Sequence, residues 1–415
     1  MKRPLILFAA SLLLLLMPSC NQKGTGETYD GLFGVTMPEP TKAIDRVQLT
    51  SAQQSLSGAL NTFGFQLQNK LYAGKSMIMS PLSLYLALGM VEAGAEGQTA
   101  SELAAVLGGD AQTVNAYAKS ILDQLPAVDL DVKLRLADAV MVNDSYQINK
   151  AYKSTVEQYY YAPVENISFT DLEKVKNTVN AWCSRNTEGL IPSILDEVNA
   201  ETVAYLMNAL YFKAAWTNPF EAYQVKQQAF TGAGKKLDFL CETAYTRYAD
   251  CGSYHMVSRD YAKGKYKFYI LLPKETNGLK SMLASLEKQD WSTLTAGMKN
   301  QYVNLQFPKF ETGSGFELNE ALMALGIKKA FLSDEDFSPM FSDVRVFVSS
   351  VIQKAKIKLN ESGTEAAAVT VVTMEKNAGP GMDAPIDFIA DHPFAYVIAE
   401  STSNTILFTG VFDGK

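Results

Sequence analysis

Histidine is almost missing from this sequence, which has only His255 and His392 among its 415 residues. A histidine-based catalytic triad or a multi-histidine metal site therefore has almost nothing to draw on. His392 stands in Asp391-His392-Pro393-Phe394, with no serine or cysteine nucleophile motif beside it, and we interpret it as structural. We expect no metal, no other cofactor and no enzyme activity.

An excess of basic residues is lacking as well. The 37 Lys and Arg residues are outnumbered by 44 Asp and Glu residues, which gives a net charge of −7. Such a chain has no general attraction to nucleic acid, and we set that class of partner aside. The hydrophobic fraction of 47% is ordinary for a globular protein and is enough for a large core.

Cysteine is scarce, with Cys20, Cys183, Cys241 and Cys251 as its four occurrences. Their number and scatter do not form a disulfide framework. Buried free thiols are the simplest interpretation of the last three, and a pair between Cys241 and Cys251 is the alternative.

A long apolar run occurs at the N-terminus, over residues 5–17, after a positively charged start. At about 13 residues it is too short for a permanent membrane helix and indicates a signal peptide, residues 1–20. Its end, Met17-Pro18-Ser19-Cys20, resembles the lipobox of bacterial lipoproteins. We therefore expect export and a lipid on Cys20 that anchors the chain to the membrane of the cell envelope, in the periplasm or at the cell surface. Ordinary cleavage near Ser19, followed by secretion, is the alternative.

The rest of the chain divides into a tether and one domain. Residues 21–50 are rich in Gly, Thr, Glu and Pro and lack a repeating apolar face, which predicts a flexible tether. No repeat or second linker interrupts residues 51–415, so we expect a single domain. Helical spacing dominates early, in residues 51–71 and after Ser80-Pro81. The predicted strands come later, at 205–212, 267–272, 303–307, 344–352, 369–373, 394–398 and 405–411. The chain is therefore predicted to be an α+β fold with large, mostly antiparallel sheets.

Five motifs occur along the domain in a fixed order. They are Ser80-Pro81-Leu82-Ser83, Gly94-Ala95-Glu96-Gly97-Gln98-Thr99, residues 208–216, residues 360–370, and the C-terminal pair of residues 391–394 and 404–410. Together they resemble the serpin family of protease inhibitors, over nearly the whole domain. The resemblance implies the serpin fold with an exposed reactive-centre loop and a target protease as partner. It also implies that the cut loop inserts into the main sheet as an extra strand while the protease is still covalently attached.

The resemblance identifies the hinge of the reactive loop as Glu361, Gly363, Thr364, Glu365, Ala366, Ala367, Ala368 and Thr370. Alternate residues of a strand face the same side of its sheet, so one set must enter the existing core on insertion. The members of one set are all small: Thr364, Ala366, Ala368 and Thr370. Neither a proline nor a bulky inward residue follows before Met374, and β-branched residues continue the segment. An alanine-rich helix is the local alternative.

The resemblance also implies a scissile bond in the loop, but two ways of locating it disagree. Counting forward from Glu361 reaches Asn377, whereas counting back from Pro393 reaches residues 379–382. Lys376 would suit a trypsin-like pocket with a buried acid. The candidates are, in order of preference, Lys376, Asn377 and Ala378, followed by Met374 and Met382.

In serpins a cluster called the shutter lies beneath the main sheet and controls whether its strands part. The resemblance assigns three of its positions to Ser80, Ser83 and Asn208. The fourth is usually a histidine and here is Gln353, in Gln353-Lys354-Ala355. Because glutamine cannot gain charge, we expect sheet opening to respond less to mild acid than in relatives with the histidine.

The resemblance implies a monomeric inhibitor of serine endopeptidases, with cysteine endopeptidases as a further class of target. A non-inhibitory serpin that acts as a binding or carrier scaffold is the first alternative, and the small inward hinge residues argue against it. A surface enzyme or glycan-binding lipoprotein is the second. No carboxylate pair, nucleophile or aromatic platform in the sequence supports it.

Overall fold

The computed structural model describes residue 33 and residues 37–332, 336–365 and 384–415. Helix α1 spans Ser51–Leu71, and the side chains of Thr50 and Gln53 cap its start reciprocally. Helix α2 spans Pro81–Ala93, with Ser80 as its N-cap and Gly94 at its end, as the sequence predicts. The other helices of the described residues are α3 (Gly97–Leu107), α4 (Ala111–Gln124), α5 (Lys150–Tyr160), α6 (Leu172–Asn186), α7 (Leu279–Leu286), α8 (Trp291–Gly297) and α9 (Asn319–Leu325).

The strands form two sheets. Their bounds are β1 (Met77–Met79), β2 (Lys133–Asn143), β3 (Val164–Ile167), β4 (Ala204–Ala215), β5 (Val225–Ala229), β6 (Lys236–Asp250), β7 (Tyr254–Tyr261), β8 (Tyr266–Pro273), β9 (Lys299–Pro308), β10 (Phe310–Glu317), β11 (Ile352–Asn360), β12 (Gly363–Thr364), β13 (Ile386–Ile389), β14 (Phe394–Glu400) and β15 (Thr405–Phe412). One sheet runs β1-β15-β14-β8-β7-β6-β9-β13, with β5 beside β6; the other runs β10-β11-β12-β4-β2-β3. The pairs β2–β3 and β9–β13 are parallel and the other described pairs are antiparallel, which confirms the predicted α+β class.

Strand β2 separates two hydrophobic cores. Its even-numbered residues, such as Leu136 and Val140, face the main core between the sheets and the early helices. Its odd-numbered residues Ala139 and Met141 face a smaller core under α6. The six-stranded sheet is therefore covered on both faces at this level, which explains the nearly continuous apolar sequence of β4.

The prediction of a strand over residues 344–352 is wrong. The strand begins where that segment ends, at Ile352, and continues to Asn360 as β11. In β11 three lysines at alternate positions face outward, and buried residues such as Ala355 and Ile357 face inward. This half-polar alternation is the signal for a strand covered on one main face, and a search for apolar runs passes over it. The predicted strand at residues 369–373 lies outside the described residues.

The packed domain starts before residue 51. Val47 is buried, and its N–H donates to the Thr402 hydroxyl at 3.0 Å. The N–H of Ile44 donates to the carbonyl of Ala127 at 2.9 Å, and Phe33 is buried in the core under α6. The predicted tether therefore gives way to packed chain well ahead of α1. None of the described helices combines the length and apolarity needed to cross a bilayer.

Candidate functional site at the end of strand β11

Strand β12, at the start of the predicted hinge, lies between β4 and β11 in the six-stranded sheet. Thr364 pairs with Ala214 of β4 and with Leu359 of β11, both antiparallel. The chain reaches this position by a tight turn after β11, in which the Asn360 side chain accepts from the N–H groups of Ser362 and Gly363 at 2.8 and 3.2 Å. The first residues of the hinge thus already occupy a strand position.

Gly363 is required by the geometry of this turn. Its φ of +143° lies in a region that side-chain-bearing residues rarely adopt, and a Cβ here would lie 2.1 Å from the carbonyl oxygen of Ala214. Any other residue would push β12 away from β4.

Thr364 points into the main core, in the direction that the alternation of side-chain sizes predicts. It is 3% exposed, and its hydroxyl lies 2.5 Å from the hydroxyl of Tyr261. Glu365 faces the other side, and its N–H donates to the Lys358 carbonyl at 2.9 Å. Partial burial raises the pKa of the Glu365 carboxyl, against the opposing hydrogen bond from Tyr211.

Trp216, just after β4, stabilises the turn that follows β11 through two hydrogen bonds. Its backbone N–H donates to the Ser362 carbonyl and its indole N–H to the Asn360 carbonyl, each at 2.9 Å. The indole stacks on the ring of Tyr261, with 4.5 Å between ring centroids and 9° between planes. The turn therefore rests on a buried aromatic pair that also contacts Thr364.

Charged groups surround the same turn. Lys309 pairs with Glu361 at 3.2 Å and helps to hold the pKa of that carboxyl below its ordinary value, although a backbone hydrogen bond contributes more. On the core side, the buried guanidinium of Arg259 pairs with Glu242 and lies 3.9 Å from the Phe220 ring centroid. The N–H of Phe220 donates to the Glu361 carbonyl at 2.9 Å, so this cluster also supports the turn.

A narrow cleft of about 10 Å³ lies next to Thr364, between β4 and β11. Its lining includes Leu210 and Phe212 of β4, Ile357 of β11, and Leu190 of the segment after α6. Apart from Thr364 and Lys356, the residues that line the cleft are apolar.

The four predicted shutter residues lie together beneath this sheet. Gln353 of β11 joins the backbone of Ser80 twice: its oxygen accepts from Ser80 N–H at 3.0 Å, and its amide donates to Ser80 C=O at 2.9 Å. The Ser80 hydroxyl donates to the Leu407 carbonyl at 2.7 Å and accepts from Ser83 N–H at 3.1 Å. The Ser83 hydroxyl donates to the side-chain oxygen of Asn208, on β4.

Asp138 is a fifth member of this network that the sequence analysis missed. It lies opposite Asn208 in the β2–β4 pairing and accepts from the Asn208 amide at 2.6 Å. Its other carboxylate oxygen is buried without a hydrogen-bond partner. Burial raises the pKa of Asp138 to about 7, against the opposing effect of the Asn208 hydrogen bond. The only signal in the sequence is one acidic residue among the apolar even-numbered residues of β2.

Residues 58–413 match the sequence model of the family described as serpin (serine protease inhibitor). The chain belongs to the serpin family. Serpin-ZXA of Oryza sativa subsp. japonica is 33% identical over 360 residues, which cover 81% of this chain and 90% of that serpin.

Solved serpin structures share the fold. The thermophilic serpin tengpin in its native state has a TM-score of 0.78 at 26% identity, covering 89% of this chain and 97% of tengpin. Human thyroxine-binding globulin, solved in complex with thyroxine, has a TM-score of 0.77 at 22% identity, covering 87% of this chain and 98% of that protein, and therefore shares the fold alone. The predicted serpin fold is confirmed.

The structure brings part of the predicted serpin site together. Glu361, Gly363, Thr364 and Glu365 follow β11, and the four shutter residues contact one another. The remaining positions lie outside the described residues: Ala366, Ala367, Ala368, Thr370, the scissile-bond candidates Met374, Lys376, Asn377, Ala378 and Met382, and the lipidation candidate Cys20.

In this serpin the contacts of His392 fit a structural role, and the described cysteines are free thiols. The two ring nitrogens of His392 lie 2.8 Å from an Asp391 carboxylate oxygen and 2.8 Å from the Pro273 carbonyl. Cys183, Cys241 and Cys251 are all free thiols, so the alternative of a pair between the last two is not found.

Proposed function

We propose that this serpin is an irreversible, suicide-substrate inhibitor of serine endopeptidases that inserts its cleaved reactive loop between β4 and β11. The observation that carries the proposal is the pairing of β12 with both strands, with Thr364 facing the core. The described strand ends at Thr364, and Glu365 has a positive φ of 54°, so insertion would require the backbone to straighten at Glu365 and then extend this strand. The description of the family as serine protease inhibitors supports the same class of target.

The register of β12 assigns a neighbour on each side to every later hinge residue. Antiparallel pairing moves one residue forward along the hinge for each residue backward along β4 and β11. The inward hinge residues then face the inward residues of both strands, as the size alternation requires. The neighbours are Phe212 and Ile357 for Ala366, Leu210 and Ala355 for Ala368, and Asn208 and Gln353 for Thr370.

The chemistry belongs to the protease, and this serpin supplies a substrate rather than a catalyst. The protease's serine hydroxyl attacks the scissile carbonyl, the amide bond breaks, and the amine side leaves as a new N-terminus. An ester then links the N-terminal part of the loop to the enzyme. Insertion displaces that ester across the sheet before water hydrolyses it, which leaves the enzyme trapped.

Incubation with trypsin-, elastase-, subtilisin- and papain-type proteases tests this function. We expect a complex with a trypsin-type enzyme that survives denaturing electrophoresis, and a released fragment whose N-terminal sequence begins at Asn377. Lys376→Ala should slow that trapping about a hundredfold or more, because the protease's buried acid is left unpaired. Lys75→Ala, in an exposed turn, is the matched control and should trap normally.

Cleavage of the loop without a stable complex would contradict inhibition and favour a binding or carrier scaffold. A fragment beginning at another residue would move the scissile bond to one of the other candidates without affecting the trapping mechanism.

We also propose that a lipid on Cys20 holds this serpin at the membrane of the cell envelope; the stretch Met17-Pro18-Ser19-Cys20 after an apolar run supports it. We expect the wild-type protein in the membrane fraction of expressing bacteria, partitioning into the detergent phase, and Cys20→Ala in the soluble fraction. Cys251→Ala removes a different thiol and should remain with the membrane. An unchanged distribution for Cys20→Ala would rule out the anchor.

A further inference from the structure

Glu365 is the residue at which the hinge stops following a strand. Its N–H donates to the Lys358 carbonyl at 2.9 Å, as in a continuation of β12. Its φ of 54°, in contrast, lies in the left-handed region, which is unfavourable for a residue with a side chain. Straightening of the backbone at Glu365 is therefore the first step of the insertion proposed above.

Extension of the hinge past β12 would complete a row of alternating charges across the six-stranded sheet. By the register of β12, the residue after Thr364 lies opposite Lys213 of β4 and Lys358 of β11. Lys358 in turn lies opposite Glu311 of β10. From β4 to β10, the row would then consist of Lys213, Glu365, Lys358 and Glu311.

The members of this row share the outer face of the sheet. Lys213, Lys358 and Glu311 each lie between two buried residues of their own strands, so their side chains point away from the main core. An extended Glu365 would point the same way, because Thr364 faces the core. Directly opposite residues on one face have their Cβ atoms about 5 Å apart, which is within reach of these long side chains.

The lysines already act on the Glu365 carboxyl before the backbone straightens. Burial has the largest effect on the pKa of this carboxyl and raises it, against the hydrogen bond from Tyr211. The charges of Lys213, Lys356 and Lys358 also lower this pKa. The carboxyl therefore lies close enough to both lysines of the row to respond to them, and straightening would bring it between them.

Lys213 has a like charge on its other side. Lys133 of β2 lies directly opposite Lys213, and like charges in this arrangement are unfavourable. Lys133 forms an ion pair with Glu188, in the turn after α6. A carboxylate on the β11 side of Lys213 would stabilise the second lysine of this pair.

We propose that Glu365 is a positioning residue for loop insertion: when the backbone straightens, its carboxylate enters the space between Lys213 and Lys358 and draws the hinge into the sheet. The proposal rests on the insertion mechanism proposed above. Glu365 is the one charged residue in the sequence 364–373. The row is therefore the electrostatic contribution that the start of the inserting segment makes.

The rate of insertion tests this role. It can be followed by the change in tryptophan fluorescence after mixing with an excess of a trypsin-type protease, because Trp216 lies next to the hinge turn. Glu365→Gln, which keeps the size and removes the charge, should insert about threefold more slowly than the wild type. Glu365→Lys should insert about tenfold more slowly, because it places a third lysine in the row. A wild-type rate in Glu365→Lys would overturn the proposal.

A charge exchange distinguishes the proposed contact from a general effect on folding or stability. Lys213→Glu alone should slow insertion about fivefold, because it places a carboxylate next to Glu365. Independent effects would multiply to about fiftyfold in the double variant of Glu365→Lys and Lys213→Glu. The exchange restores one opposite-charge pair, so we expect the double variant to be only about threefold slower than the wild type. A fiftyfold loss would show that the two residues do not act on each other.

Glu317→Lys is the matched control. Glu317 is an exposed residue of β10 in the same sheet, and its neighbour in register is the uncharged Ile352. The same charge reversal here should leave the rate of insertion unchanged. If it slows insertion as much as Glu365→Lys does, the net charge of the sheet is responsible and the assignment to Glu365 is wrong.

The thermal midpoint of the cleaved protein separates this inference from the inhibitory function. Complete cleavage of the loop should raise the midpoint in the wild type, and the rise should be about 2–4 °C smaller in Glu365→Lys. Salt at about 1 M should reduce this difference, because it screens exposed charges. These results without any protease complex would refute inhibition and leave the role of Glu365 intact. A protease complex with equal rates and equal midpoints in both proteins would refute the role of Glu365 and leave inhibition intact.

Discussion

Replacing Ala368 with arginine is expected to convert the protein from an inhibitor of its target protease into a substrate. If the hinge extends β12 in register, as proposed, Ala368 would lie between Leu210 and Ala355, which are both more than nine-tenths buried. An arginine there would carry an unpaired charge into the core, at a cost of about 3–5 kcal/mol. Since about 1.4 kcal/mol slows a step tenfold, insertion should slow more than about a hundredfold and hydrolysis of the ester should win.

Ala367→Arg is the control for this change, because the same substitution one residue earlier faces the other side of the sheet. There its neighbours would be Tyr211 and the partly exposed Lys356, beside the carboxylate of Glu188. We expect Ala367→Arg to trap protease at nearly the wild-type yield, as measured by gel densitometry of the covalent complex. Equal loss of the complex in both variants would contradict the register of insertion.

Replacing Trp216 with alanine is expected to destabilise the native protein by about 3–5 kcal/mol, the usual cost of deleting a buried tryptophan. Trp216 is 2% exposed, and the change removes both its stacking on Tyr261 and its indole bond to Asn360. The midpoint of denaturant unfolding measures the loss. The turn after β11 also loses its support. We therefore expect the uncut loop to insert faster, which converts the protein into a form that no longer traps protease.

Trp291→Ala separates these two effects. Trp291 is equally buried, and its ring packs against Phe65 and Tyr269, away from the turn that follows β11. It should show a similar loss of stability with little change in the rate of conversion. If both variants convert at the same rate, Trp216 contributes to general packing and has no particular role at the hinge.

The elements that the sequence predicts best are those whose local signals agree with their final surroundings. Helix α1 has its apolar spacing and its capping residues in one segment, and its bounds are found as predicted. The shutter residues Ser80, Ser83, Asn208 and Gln353 lie far apart in sequence, and only the family resemblance groups them. Their contacts follow from the serpin topology, which the resemblance implies.

The errors have a common physical origin, since they concern residues whose surroundings come from distant parts of the chain. Nothing near Asp138 in sequence shows that α2 and β4 will bury it. The lysine-rich alternation of β11 has low local hydrophobicity, yet its other face meets the main core. Phe33 sits in a segment of loop-like composition, and its burial depends on the core that α6 forms with β2.

The burial of Phe33 limits how far the packed domain can lie from the lipid proposed on Cys20. With the lipid proposed on Cys20, the residues from Cys20 to Phe33, and not the whole predicted tether, set the span between the anchor and the packed chain. Those roughly 13 residues reach at most about 45 Å when fully extended. If that lipid is present, the packed domain would begin within about 45 Å of the lipid surface.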